Sequence, residues 1–583
     1  MEIAAQPGLR ELRRALREER RPVRPGDDRE APPEAPIAAP LAARLAEVRD
    51  ACPRLHARMI ALDPAQQAAV LDDAPAALVR AQVGSGKTTV LVHKALYLHL
   101  VRGVPLDQIA VVTFTTRAAD ELRARLEELA ERPVAPDERW LMGTFHGVAC
   151  TLLHRALPIE HLGYRPDFAV LDDDASDALV AALVRGHKLR VPRRQLRERL
   201  RAVVADPAGD ELARLAALAR DARRAQNAMD FDELIDHASA LLAAGGPPRP
   251  RWLLVDELQD CEPRELGFLR QLRGPDTRFF GVGDPLQAIY GWRGSAPALF
   301  AHAETELGCR AAELPTSYRS TRTILEAARA VLGAQPSGTG ALTSARAAGA
   351  PIAIRRHHDP IGEAVYLAAR LAELHAGGVP HRELAVLCRL RAQFEVIAAV
   401  LGSRGIPLAM ADDAQAEGVR LLTLHAAKGL EFRHVFIAGA NVGVVPLVQR
   451  GDTGDPAEER RLLFVGITRA RDGVEISYHA SPHQHGASGG PSPLLALIPP
   501  ELVALHEAAP RPPAASILDA PRRAAPIAAI PAPSSSPWTV GQAVRHPRYG
   551  AGVITALAAD TIDCDFGKLG PRSFPRRRCP LLP

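Results

Sequence analysis

The segment that most constrains the fold is AQVGSGKTT, residues 81–89, set between the apolar run AALVRA and the helical pattern VLVHKALYLHL. A strand, a glycine-broken loop and a helix N-terminus in that order form a phosphate cradle, because Gly84 and Gly86 let backbone N–H groups close on one anion. The ammonium of Lys87 is placed to reach the β and γ oxygens of a nucleotide and the Thr88 hydroxyl to ligate Mg²⁺; Ser85 and Thr89 complete the loop's nucleotide-binding positions. Such a loop belongs at the carboxyl end of a parallel strand, so the chain is committed to an α/β sheet with helical crossovers. Only the first glycine of G-x-x-x-x-G-K-[ST] departs from the pattern, as Ala81.

Further apolar runs alternate with helical patterns: IAVVTF, RWLLVDE and RFFGVGD in the first half, then LAVLCR, VRLLTLH, HVFIAGA and GVEISY in the second. They predict two α/β units with parallel sheets, at 61–310 and 311–500. A mainly helical stretch at about 151–240, with the arginine-dense VRGHKLRVPRRQLRERLRAV, reads as an insertion in the first unit. Residues 1–60, rich in Arg, Pro and Ala, read as a flexible extension with one short charged helical pattern around 9–21. A Pro/Ala-rich linker at 501–536 leads to a short β-rich module at 537–583.

Composition removes several classes. Among 583 residues no apolar run approaches the length of a membrane span, and the charged N-terminus has no signal-peptide core, so a cytoplasmic protein is expected. Seven cysteines without C-x-x-C spacing argue against a zinc site or a disulfide scaffold. The net charge of +4 neither demands nor excludes nucleic acid. The cation ratio says more. Of 72 basic residues only five are lysines (87, 94, 188, 428 and 568), so lysine marks places where a compact point charge is wanted over a guanidinium fork.

LLVDELQD closes a strand with Asp256 and Glu257. Beside a phosphate loop, the first acid can hold Mg²⁺ and the second can orient and deprotonate the attacking water. Two arginines stand out by setting, Arg319 in SYRST and Arg469 in GITRAR. Each could put charge on a γ-phosphate when the halves close; a surface ion pair is the competing role for either. The polar segment VGDPLQAIYGWRGS (282–295) places Tyr290 and Trp292 among glycines and Arg293 instead of in an apolar run, which asks what flat surface those rings meet.

Taken in order, LDPAQQ, AQVGSGKT, VVTFTTRAADELRAR, GTFHG, LLVDELQD, VGDPLQAIYGWRGS, SYRS, LLTLHAAKGLEF and EERRLLFVGITRAR resemble the motif series of UvrD/Rep-type superfamily 1 DNA helicases over roughly 62–480. The resemblance implies two RecA-like motor domains, ATP with Mg²⁺, and 3′ to 5′ movement on single-stranded DNA in DNA repair or replication. By position it makes Gln66 the adenine reader, Tyr318 an adenine stack, Glu431 a ribose contact, Gln287 the γ-phosphate sensor, and Arg319 and Arg469 arginine fingers. Phe114, His146, Tyr290, Trp292, Arg293 and His425 would line the single-strand track, where Trp292 could instead anchor the domains and the two histidines could instead be core residues.

One departure is large. The family's helical insertion in the second motor domain is reduced here to LAMADDAQAEG. The last module resembles the Tudor-like C-terminal barrel of these helicases, which implies RNA polymerase as a partner, while its seven basic against three acidic residues over 538–583 make nucleic acid a rival. Single-stranded and tailed duplex DNA are the expected substrates, and a transcription-associated ATPase that remodels polymerase without unwinding is the alternative.

Overall fold

The computed structural model describes residues 39–191, 196, 211–245, 249–291, 297–333, 342–409, 417–448, 455–480, 489–507, 540–546, 550–557, 561–566 and 571–575. The chain divides into two units, Met1–Ala508 and Ala509–Pro583. Expectations for the 9–21 pattern, for Trp292 and Arg293, and for most of LAMADDAQAEG lie outside the described residues.

The first unit holds two parallel sheets. In the first, β1 (Ala76–Ala81), β2 (Ile109–Thr113), β3 (Met142–Thr144), β6 (Trp252–Val255), β7 (Arg278–Gly283) and β8 (Arg310–Leu314) run in the order β3-β2-β6-β7-β1-β8. Every pairing is parallel. Side chains alternate faces along each strand: Ala77, Val79 and Ala81 of β1 enter one core with Val90 and Leu91, while Ala76 and Leu78 enter the other with Phe145 and Leu152. Helices therefore cover both faces, and the apolar runs read as strands are strands.

Between β3 and β6 lie helices Asp173–Gly186, Glu211–Ala225 and Phe231–Ala243, plus a two-stranded parallel pair, β4 (Ala169–Val170) with β5 (Ala228–Met229). The second sheet comprises β11 (Ile352–His357), β12 (Leu384–Cys388), β13 (Leu408–Ala409), β14 (Val419–Thr423), β15 (Phe432–Ala438), β16 (Ala470–His479) and β17 (Val503–His506), in the order β13-β14-β12-β15-β16-β11-β17 and again wholly parallel. A small parallel pair, β9 (Thr316–Ser317) with β10 (Thr343–Ser344), lies between the sheets in sequence. Val83 and Ile289 of the first half are buried in the second half's core, so the halves meet through packed apolar surface.

Three boundaries differ from the sequence reading. Within the segment expected to be flexible, helices Ala39–Ala51 and Pro53–Met59 bury Leu45, Val48, Leu55 and Met59 against the first sheet's core. The alanine-rich first helix carries little amphipathic contrast and the second is only seven residues long, which hid them. β8 extends the first sheet to Leu314, and β17, inside the expected linker, pairs with β11. In the second unit, β18 (Ala543–His546), β19 (Gly550–Leu557), β20 (Thr561–Asp565) and β21 (Pro571–Pro575) form an antiparallel meander around Val544, Ile554, Ile562, Cys564 and Phe566. Among the described residues these strands form one sheet in the order β18-β19-β20-β21. No helix among them is long and apolar enough to cross a membrane.

Candidate nucleotide and nucleic-acid site

The carboxyl ends of β1, β6 and β7 converge on a cavity of about 580 Å³ walled by both halves. From the loop come Gly84, Ser85, Gly86, Lys87, Thr88 and Thr89; from the strand ends come Asp256, Glu257 and Gln287; Tyr318, Arg319, Lys428, Glu431 and Arg469 face them. Gly84 and Gly86 adopt φ of 70° and 80°. A Cβ on Gly84 would lie 2.7 Å from the Arg319 Cβ, and one on Gly86 would lie 2.7 Å from Gln66 Nε2, so the loop can close this tightly only with glycine at both places.

Gln66 does not line the cavity. Its Oε1 accepts from the Asp63 backbone N–H (3.1 Å) and its Nε2 donates to the Ser85 carbonyl (2.8 Å), so both ends of the amide brace the helix Pro64–Leu71 against the phosphate loop. Tyr318 lines the cavity, 44% exposed, with its hydroxyl donating to Asp63 Oδ2 at 2.6 Å. Its partner in sequence, Arg319, donates through Nε to Glu431 Oε2 at 2.8 Å. The structure thus pairs an expected arginine finger with the expected ribose contact.

Glu257 is held in the left-handed region, φ 49°, which turns its side chain back over the cavity toward Lys87, 3.3 Å away. The Glu257 N–H donates to Asp256 Oδ1 at 2.9 Å. Burial alone would raise the Glu257 carboxyl, but the ammonium groups of Lys87 and Lys428 override it and hold Glu257 ionised. Asp256 goes the other way, pushed up by burial and then by the charge on Glu257. Asp256 is therefore the acid that a divalent cation would stabilise in its ionised form. With the Thr88 hydroxyl on the same wall, the donor set is all hard oxygen, which fits Mg²⁺.

The second half closes the site with cations. Arg469 is 1% exposed: Nε donates to the Val465 carbonyl (2.9 Å), Nη1 to the Leu430 carbonyl (3.2 Å) and Nη2 to Gln287 Oε1 (3.1 Å). Burial, and then the nearby Arg319, pulls the guanidinium down to about 9, still charged at neutral pH. Lys428 was not placed in the site by sequence. Its Nζ reaches Asp260 Oδ1 at 2.6 Å and the Gln287 carbonyl at 2.5 Å, bridging the halves. The signal that could have found it is the scarcity of lysine in an arginine-rich chain.

Of the expected single-strand residues, the structure gathers Phe114, Tyr290 and His425. The Phe114 and Tyr290 rings stack with centroids 5.3 Å apart, and His425 lies 6.5 Å beyond Tyr290. Lys428 Nζ sits 5.2 Å from the Tyr290 ring centre, so the cation that contacts Gln287 also touches the aromatic platform. Burial, Arg389 and Lys428 lower His425 to about 4, which makes it a neutral ring at physiological pH and no phosphate counter-charge. His146 packs edge-on against the Phe231 ring, 5.3 Å away.

The chain is similar in sequence to known proteins. The UvrD/REP helicase N-terminal domain model matches residues 62–307, and the UvrD-like helicase C-terminal domain model matches 312–416 and 411–481. The chain is similar to the ATP-dependent DNA helicase UvrD2 of Mycobacterium tuberculosis, 27% identical over 72% of this chain and 79% of the relative. It is 28% identical to a probable DNA helicase of Mycoplasma pneumoniae over 77% of this chain and 89% of that one. It is also 33% identical to the ATP-dependent DNA helicase Rep of Salmonella typhimurium, over 47% and 44% respectively. With two parallel sheets closing on one phosphate cavity and both halves matched, the chain belongs to the UvrD/Rep-type superfamily 1 DNA helicases, enzymes that couple ATP hydrolysis to DNA unwinding.

Proposed function

We propose that this helicase moves along single-stranded DNA from 3′ to 5′, with ATP and Mg²⁺ in the cavity and DNA on the Phe114–Tyr290 platform. The observation that carries the reading is the shared segment Asp284–Tyr290. Gln287 touches Arg469 at the cavity, while Tyr290, three residues on, is stacked in the aromatic group and touched by Lys428. A change at the γ-phosphate position can thereby reach the rings that grip bases.

Lys87 holds the β and γ oxygens, Thr88 and Asp256 would hold Mg²⁺, and the cation supplies charge neutralisation on the phosphates when bound. A water proton passes to Glu257 as the water oxygen bonds to the γ-phosphorus, and the bond to the bridging oxygen breaks with its electron pair left on ADP. Arg319 and Arg469, both from beyond the first sheet, stabilise the transferring group, and Arg319 must leave Glu431 to do so. Trp292 and Arg293 also contact the DNA strand, and the helicase, with only LAMADDAQAEG in place of the family's long insertion, works as a translocase in DNA repair or replication in the cytoplasm.

Bare single-stranded DNA tests the reading. ATP turnover should rise several-fold on adding an oligonucleotide without any protein partner; turnover indifferent to DNA yet raised by RNA polymerase would favour the remodelling alternative, which neither the relatives' names nor the described strands of the second unit support.

A further inference from the structure

Reading Glu257 as the base leaves a question of aim, because a carboxylate has two oxygens and only one should meet the water. We propose that Gln259 is the positioning residue for ATP turnover: its amide fixes which Glu257 oxygen takes the proton and ties that carboxylate to the segment ending at Arg469. The inference rests on the reading of Glu257 given above.

Gln259 is wholly buried, 0% exposed, on the short turn after β6. Its Nε2 donates to Glu257 Oε2 at 2.6 Å. The same Oε2 is the atom 3.3 Å from Lys87 Nζ. Oε2 therefore serves two donors, and Oε1 is the oxygen left to accept a proton. The other end of the Gln259 amide, Oε1, accepts from the Asp284 backbone N–H at 2.8 Å. From there Asp284 Oδ2 accepts from Gln287 Nε2 at 2.6 Å, and Gln287 Oε1 accepts from Arg469 Nη2 at 3.1 Å. Two amides, each used at both ends, join the base to an arginine of the opposite half.

The orientation is not free. Turning the Gln259 amide over would set its carbonyl against a carboxylate and its N–H₂ against a backbone N–H, losing both bonds in a buried site. Space is equally restrictive. A Cβ on Gly283, at the end of β7, would lie 2.5 Å from Gln259 Oε1 and 2.6 Å from a Phe300 ring carbon, so the strand end admits this amide only as glycine. A polar side chain with no water access, spent on one base and one backbone N–H, matches a residue that sets geometry.

The test compares Gln259→Leu, Gln259→Glu, Glu257→Gln and the double variant Glu257→Gln/Gln259→Leu in the full chain, measuring kcat, KM for ATP, binding of a non-hydrolysed ATP analogue and the pH–rate profile. Gln259→Leu should lose on the order of 100-fold in kcat with KM and analogue binding within about twofold of the parent. Its acid limb should move to higher pH, since a donor to the ionised base has been removed. Gln259→Glu, which replaces that donor with a like charge, should be at least as slow. The double variant should be no slower than Glu257→Gln alone, because Gln259 acts through Glu257. Parental kcat in both Gln259 variants beside an inactive Glu257→Gln would overturn the positioning role and leave the base standing. Parental turnover in Glu257→Gln would overturn both. Losses in the double variant that multiply, or a Gln259→Leu defect confined to analogue binding with an unmoved acid limb, would show that Gln259 serves packing and would end the proposal.

Discussion

Replacing Lys428 with methionine keeps most of the stem's volume and deletes the ammonium that Asp260 and the Gln287 carbonyl share. Both partners of the ion pair are buried, with side chains 7% and 1% exposed. Burial raises the Asp260 carboxyl to about 6 even against the pull of Lys428, about two units above an ordinary aspartate, or about 3 kcal/mol at neutral pH. Removing the cation leaves that charge uncompensated, at a cost of about 3–5 kcal/mol. The sign follows from linkage. A carboxyl whose folded pKa is raised contributes stability that is fully present below its unfolded value, near 4, and is lost as pH rises through the folded value. The variant's folded value lies higher still, so its deficit against the parent should be small near pH 5 and largest near pH 8. At about 2–4 °C per kcal/mol for a large domain, the Tm should fall by about 6–20 °C at the alkaline end. Thermal unfolding of the parent, Lys428→Met, Asp260→Asn and the double variant at both pH values measures this, and Lys428→Met/Asp260→Asn should recover much of the loss because the orphaned charge is gone. A drop of equal size at both pH values, or a double variant no more stable than Lys428→Met, would refute the reasoning.

Lys87→Ala should abolish hydrolysis by removing the phosphate contact, whereas Glu257→Gln should retain nucleotide binding and lose turnover; parental turnover in either would contradict the assigned roles. Tyr290→Ala should weaken single-stranded DNA binding by about 1–3 kcal/mol, the usual worth of one stacked base, with basal ATPase preserved; the opposite pattern would make Tyr290 a domain anchor. Since His425 is lowered to about 4, it is neutral throughout the working range. DNA affinity should therefore show no step near pH 6.5 that His425→Gln abolishes, and such a step would mean the ring is a phosphate counter-charge.

Local chemistry made much of this molecule readable. The phosphate loop and the Asp256–Glu257 pair are contiguous, their spacing dictated by what they hold, and the eight apolar runs are strands because both faces of a parallel sheet are buried. Edge strands such as β3, β8 and β17 escaped because they are short or carry polar residues on an exposed side. Helix Ala39–Ala51 escaped because alanine reports little about which face is covered, and Pro53–Met59 because seven residues are too few to show a helical period. The contacts that join the halves were beyond sequence for a different reason. Lys428 meets partners 168 and 141 residues away, and Arg469 meets Gln287 across 182 residues, so their roles exist only once both sheets have formed. Gln66 shows the converse, since position suggested a base contact while the amide's bonds serve the phosphate loop.

The most direct test of the central claim, that hydrolysis in this cavity drives directional movement on one DNA strand, is ATP turnover and strand separation measured side by side on duplexes with a 3′ or a 5′ single-stranded tail. Turnover should be stimulated by either tail, only the 3′-tailed duplex should separate, and Lys87→Ala should lose both activities. Separation of the 5′-tailed duplex alone, or separation that persists in Lys87→Ala, would contradict that claim.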